Sequence, residues 1–175
     1  MTITVAQLDT LPDAEAAFKL AACCGASAWV SGMLARRPFA SRDQLFTASE
    51  EVARTLRDSD WLEAFAYHPR IGKRNSNAVV STTAESWSIG EQSASATAST
   101  AVRAALADAN AEYEERFGFI FIICASGRSA DEILAALRER MDNEPGAEIF
   151  VAAREQQQIT RLRLEKLIPA GGVNA

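Results

Sequence analysis

Phe117-Gly118-Phe119-Ile120-Phe121-Ile122-Ile123-Cys124-Ala125 is the stretch on which the fold class turns. Its β-branched and aromatic residues make it the one convincing strand candidate by propensity. A buried segment outside any sheet fits the same composition, because a short apolar run carries no decisive periodicity. If the segment is irregular, its buried peptide groups need hydrogen-bond partners, and a polar planar ligand is one candidate. The plainer alternative is ordinary core.

Everything around this stretch reads as helix. Downstream, Ser129 and Glu132 have capping-box spacing, with Ile133, Leu134, Leu137 and Met141 as the apolar stripe behind them. Asn143, Pro145 and Gly146 punctuate the chain before a last helix expected over 147–168, which stops at Pro169. Upstream, Val102, Leu106, Ala109 and Tyr113 mark one face of a helix over 100–116. Residues 87–100 are rich in Ser, Ala and Thr and fit either a linker or a helix running toward the next element. Residues 69–83, with Gly72, Asn75, Ser76 and the basic Arg70, Lys73 and Arg74, read as a loop. Helices are expected over 13–24 behind Pro12, over 26–36 before Pro38, and from Ser41, whose partner in a capping box is Gln44. Ser59 is expected to cap a short helix through Trp61 and Phe65. The expected fold is all-α, a single domain of about eight helices with one apolar extended or irregular segment near 118–125.

A chain of 175 residues fits one domain and buries a real core without staples. The net charge of −5 argues against a nucleic-acid binder, which shows a basic footprint. The longest apolar run, Phe119 to Ala125, falls far short of the roughly 20 residues that span a bilayer. Met1-Thr2-Ile3-Thr4 lacks the basic start of a signal peptide. Cys23, Cys24 and Cys124 give an odd count without Cys-x-x-Cys spacing, and a single histidine excludes multi-histidine zinc sites. The expectation is a cytoplasmic, reduced, metal-free protein with neither nucleic-acid nor membrane partner.

That single histidine is His68, in Tyr67-His68-Pro69-Arg70-Ile71-Gly72. It is the one side chain that ordinarily trades protons near neutral pH. Pro69 turns it away from helical geometry, so it stands where a helix has ended and a loop begins. A lone histidine taken by itself is more often a satisfied core or surface residue. Ser88-Ile89-Gly90-Glu91-Gln92 combines acceptors and amide donors suited to a urea-like group, although Ser88 and Glu91 also have the spacing of a simple helix start. On the last helix Arg163 lies four residues from Ile159 and leans to the apolar face, whereas Arg161 leans to Glu165 and solvent. A guanidinium there either clamps a carboxylate with its planar fork or snorkels over the core.

In series, Phe65-Ala66-Tyr67-His68-Pro69-Arg70-Ile71-Gly72, Ser88-x-x-Glu91-Gln92, Tyr113-x-x-Arg116-Phe117-Gly118-Phe119-x-Phe121-Ile122-Ile123-Cys124-Ala125 and Ile159-x-x-Leu162-Arg163-Leu164 resemble the 2-oxo-4-hydroxy-4-carboxy-5-ureidoimidazoline (OHCU) decarboxylases. Order and spacing match from about residue 5 to 168. The resemblance implies one domain over 1–168, followed by a flexible tail over 169–175. It further implies an all-helical, cofactor-independent homodimer of urate breakdown that acts after urate oxidase and hydroxyisourate hydrolase and yields (S)-allantoin. Phe121 to Ala125 then become pocket lining rather than sheet. Arg70 departs from the acidic residue that many members carry after His-Pro, a variant that suggests a bacterial member, and the turn Ala125-Ser126-Gly127-Arg128 is also variable in the family.

By this resemblance His68 is the catalytic residue. Pro69, Ser88, Glu91, Gln92, Phe121, Ile122, Ile123, Cys124, Ala125 and Arg163 bind substrate, and no metal is involved. Two readings of other classes stand beside it. One is a helical scaffold whose apolar Phe119 to Ile123 patch meets a partner. The other is a purine-pathway hydrolase in which His68 activates water.

Overall fold

The computed structural model describes residues 2–69, 87 and 98–170. Among these residues the chain forms eight helices and no strand. They are α1 (Val5–Thr10), α2 (Asp13–Cys23), α3 (Ser27–Leu34), α4 (Arg42–Ala53), α5 (Asp58–Ala66), α6 (Thr100–Phe117), α7 (Ala130–Arg140) and α8 (Pro145–Leu167). The all-α expectation holds, and residues 120–125 lie between α6 and α7 as neither helix nor strand.

Local chemistry sets the helix ends. Ser129 and Glu132 form the full capping box of α7: the Ser129 hydroxyl accepts from the Glu132 N–H, and the Glu132 carboxylate accepts from the Ser129 N–H. At α4 the box is displaced. Ser41 accepts from the Gln44 N–H, but the Gln44 amide oxygen takes the N–H of Ala40. Two expectations need correction at α5 and α8. Ser59 is not the cap of α5, because the helix begins at Asp58 and the Asp60 carboxylate accepts from the Arg57 N–H at 2.8 Å. A carboxylate is the stronger partner for the positive end of a helix. Pro145 and Gly146 open α8 rather than preceding it, since proline suits the first helical position. Helix α1 was not expected from the sequence; Thr4 and Gln7 give it a complete capping box.

The chain divides into two compact units. The first takes the described residues up to Ala64 and those from Gln157 onward. Its core includes Leu8, Leu20, Trp29, Met33, Leu45 and Leu164. The last carbonyls of α1 are served by Arg37, whose Nη1 donates to Leu8 O at 2.7 Å and to Leu11 O at 2.9 Å. At the end of α8, Ile3 N–H and Arg42 Nε each donate at 2.9 Å, to the carbonyls of Leu167 and Ile168. Glu63 caps α3 from outside by accepting from the Ser27 N–H and hydroxyl.

The second unit runs from Phe65 to Gln156. Its core joins Leu106 and Tyr113 of α6 to Ile133, Leu134 and Leu137 of α7, with Phe121, Ile123 and Ala125 between them. The alternation of these three positions places every second side chain of the apolar segment in that cluster. Ile122 and Cys124 are buried as well, so the segment is enclosed on both sides. Gly118 turns the chain into it with φ +78°, and its N–H donates to Glu114 O at 2.9 Å.

Candidate functional site

His68 stands two residues past the end of α5. Its backbone N–H donates to Phe65 O at 3.0 Å, which closes the turn, and its side chain is half-buried beside a half-buried Pro69. The buried ring of Phe65 packs on Phe119 with centroids 5.3 Å apart. Phe119 lies two residues before Phe121. The second unit therefore couples the His68 turn to the apolar segment through one ring contact.

The segment itself is held by long polar side chains. Arg140, at the end of α7, donates from Nη1 to Ile122 O at 2.7 Å. Glu155, on α8, accepts from the Cys124 N–H at 2.7 Å. Ala125 O accepts from the Arg128 N–H at 3.1 Å, around Gly127 with φ +80°. These bonds answer how irregular backbone is tolerated inside the unit: side chains supply what a neighbouring strand would.

Arg140 is fixed in turn. Its Nε and Nη2 lie 2.7 and 2.5 Å from Glu148 Oε1. The same oxygen accepts from the Tyr113 hydroxyl, and Glu148 Oε2 accepts from Asn143 Nδ2 at 2.6 Å. The guanidinium also lies 4.5 Å from the centre of the Phe121 ring. Burial and the bond to Glu148 push the Tyr113 hydroxyl far above its ordinary range, so it stays a donor. Arg140, Glu148 and Glu155 are not singled out by the sequence, and Tyr113 stands out there only on the apolar face of its helix and in the family-like motif, not as a partner of Glu148. Arg140 carried a signal, since it falls seven residues from Ile133 and three from Leu137, on the apolar face of its helix.

Arg163 belongs to the first unit. It is 4% exposed, and its Nη1 donates to Ala22 O at 3.3 Å. Gln156, Thr160 and Arg163, all buried, recur at spacings of four and three along α8. Arg161 is on the solvent side as expected, 3.4 Å from Glu165 and 3.3 Å from Glu50. Cys24 lies near Thr160 and Arg163, and burial pushes its thiol up to about 11. All three cysteines are buried, and none is in a disulfide. Ser88, Glu91, Gln92 and the Arg70, Lys73, Arg74 cluster lie outside the described residues, as does the tail from 171.

A family model described as OHCU decarboxylase matches residues 9–165, across both units. The chain belongs to the OHCU decarboxylase family. An Arabidopsis thaliana protein, "Uric acid degradation bifunctional protein TTL", is 44% identical over 146 residues, which is 83% of this chain and 45% of that protein. An OHCU decarboxylase from Amia calva is 49% identical over 59 residues, 34% of each chain. This chain thus spans less than half the length of these two relatives. Among solved structures, "Crystal structure of OHCU decarboxylase in the presence of (S)-allantoin" is similar with a TM-score of 0.74 and 36% identity, covering 87% of this chain and 99% of that one. Since a plant protein matches at 44% and a Bacillus protein at 25%, the comparisons lend no support to a bacterial assignment.

Proposed function

We propose that this protein decarboxylates OHCU to (S)-allantoin in urate catabolism, without a cofactor. The observation that carries the reading is the family match over residues 9–165, with the similarity to an OHCU decarboxylase solved in the presence of (S)-allantoin. The protein works as a cytoplasmic homodimer, an expectation taken from the family resemblance. No helix among the described residues is long and apolar enough to cross a membrane.

Loss of CO2 leaves an electron pair on the carbon that bore the carboxylate. In OHCU a ring C=N bond adjoins that carbon, so the substrate accepts the pair itself. Three tasks fall to the chain: binding the anion, orienting the departing carboxylate, and returning a proton to one face of the ring only.

We assign the roles as follows. His68 hydrogen-bonds the carboxylate and 4-hydroxyl region and handles the proton exchange, help worth about 10²–10⁴-fold. Glu91, Gln92 and Ser88 bind the ureido arm, in which amide donors meet a carboxylate acceptor. Arg163 anchors a ring carbonyl or the carboxylate. Peptide groups of Ile122, Ile123, Cys124 and Ala125 bind the ring, and Pro69 and Phe121 shape its walls. A substrate held in one orientation gives one enantiomer.

The test is to make OHCU fresh from urate with the two upstream enzymes and to follow the circular dichroism of emerging allantoin. Accelerated formation of the S isomer with CO2 release supports the reading. Racemic product at the spontaneous rate refutes it, and turnover without CO2 points to a hydrolase.

A further inference from the structure

The Cys124 N–H already has an acceptor in Glu155, and Ile122 O already has a donor in Arg140. These two bonds lie on the two peptide planes that meet at Ile123. Both peptides are trans. In a trans peptide the N–H and C=O point in opposite directions. With Arg140 on Ile122 O, the Ile123 N–H of the same plane points the other way. With Glu155 on the Cys124 N–H, the Ile123 carbonyl points away from Glu155. The Ile123 side chain is packed in the α6–α7 core. One residue is thereby fixed at its side chain and at both flanking planes.

We propose that Glu155 is a positioning residue of the decarboxylase: with Arg140 it aims the Ile123 N–H and C=O as the donor and acceptor that read the substrate's planar ring. The inference rests on the function proposed above. It narrows the four peptide units assigned there to one residue that presents a paired donor and acceptor.

Glu155 differs from the other clamp in a way that makes the idea testable. Arg140 and Glu148 are both buried, and loss of either leaves an uncompensated charge. Glu155 keeps a side-chain exposure of 16%, and its other oxygen lies 3.7 Å from Arg128. Its bond to Cys124 is thus set at the border of the unit, where water is able to substitute for a purely structural acceptor.

The experiment compares Glu155→Ala, Glu155→Gln and wild type. Melting temperatures report folding. Glu155→Ala is expected to lower kcat/KM for OHCU by about 10–100-fold, mainly through KM, and to reduce the enantiomeric excess of allantoin. Glu155→Gln keeps an acceptor for the Cys124 N–H and is expected within about threefold of wild type. The Cys124 amide proton is expected to shift upfield in Glu155→Ala and to remain near its wild-type position in Glu155→Gln. Wild-type kcat/KM and enantiomeric excess in a folded Glu155→Ala enzyme overturn the proposal. If that variant does not fold, Glu155→Asp, one methylene shorter, takes its place, and wild-type kinetics there overturn it equally. A wild-type protein without effect on OHCU overturns the functional reading instead, while an unmoved Cys124 amide in a folded Glu155→Ala variant still counts against the clamp itself.

Discussion

Arg140 and Glu148 form a buried ion pair in which one carboxylate oxygen accepts from two nitrogens of the guanidinium, at 2.7 and 2.5 Å. The pair does more than neutralise itself. Arg140 has a third nitrogen on Ile122 O, and Glu148 has its second oxygen on Asn143. Removing either partner therefore strands a charge, and removing Arg140 also takes the donor from a backbone carbonyl. Glu148→Ala is expected to cost about 3–5 kcal/mol. Urea denaturation followed by tryptophan fluorescence checks this. Replacing both residues with apolar ones of similar volume is expected to cost less than either single change, because no charge is left buried. A double variant less stable than both singles contradicts the account.

His68→Ala is expected to leave a folded protein, since the side chain is half-buried and its turn is closed by a backbone bond to Phe65. The rate of OHCU loss in its presence should approach the spontaneous one. Retention of most activity removes His68 from the proposed role. Glu91→Gln, which swaps an acceptor for donors, is expected to weaken both substrate binding and turnover.

Arg161 and Arg163 provide a matched pair on one helix. Arg163 is enclosed, whereas the Arg161 side chain is 55% exposed. Arg163→Lys is expected to cut turnover by about tenfold or more, because an ammonium lacks the planar fork. Arg161→Lys is expected to change stability by no more than about 0.5 kcal/mol and to leave turnover unchanged. Parallel steady-state kinetics on the two variants decide the point, and equal effects would contradict the assignment.

The thiol of Cys24 is raised from 9.0 to about 11 by burial, so the folded protein holds this proton more tightly than the unfolded chain. The stabilisation linked to it is complete below pH 9 and is lost as pH rises toward 11. The loss amounts to at most about 1.4 kcal/mol per pH unit. Tyr113 is shifted in the same direction and adds to the decline above its ordinary range. Cys24→Ala is expected to flatten the fall in melting temperature between pH 9 and 11. An unchanged slope in Cys24→Ala means that other groups govern the alkaline limit. At neutral pH none of the three cysteines should react with a thiol reagent until the protein unfolds.

Local grammar was legible where the decisive bonds lie within one turn. The Ser129–Glu132 box and the burial of Arg163 follow from spacings of three and four, and the end of α8 at Leu167 from the proline two residues on. Ser59 misled because Asp60, one position on, is the stronger helix-start group. Helix α1 has only six residues, too short for a periodic stripe, and Thr4-x-x-Gln7 was its one signal. Composition leaves open whether Phe119 to Ala125 is a strand, the family resemblance implies that it is not, and among the described residues there is no strand. What closes the question physically is the Arg140–Glu148–Tyr113 network, whose members are spread along the chain. No window of local pattern links Ile122 to Arg140 or Cys124 to Glu155. Those partnerships are tertiary, and they decide the shape of the candidate site.

Phe119 to Ala125 has the composition of a self-assembling cross-β peptide: apolar, uncharged, β-prone and free of proline. In the folded chain Arg140 and Glu155 occupy a carbonyl and an amide that a foreign strand would need. The same contacts that shape the segment thus keep it from templating a sheet. Variants that loosen it, Glu148→Ala foremost, should fail by aggregation on warming rather than by reversible unfolding, so the clamp guards solubility as well as geometry.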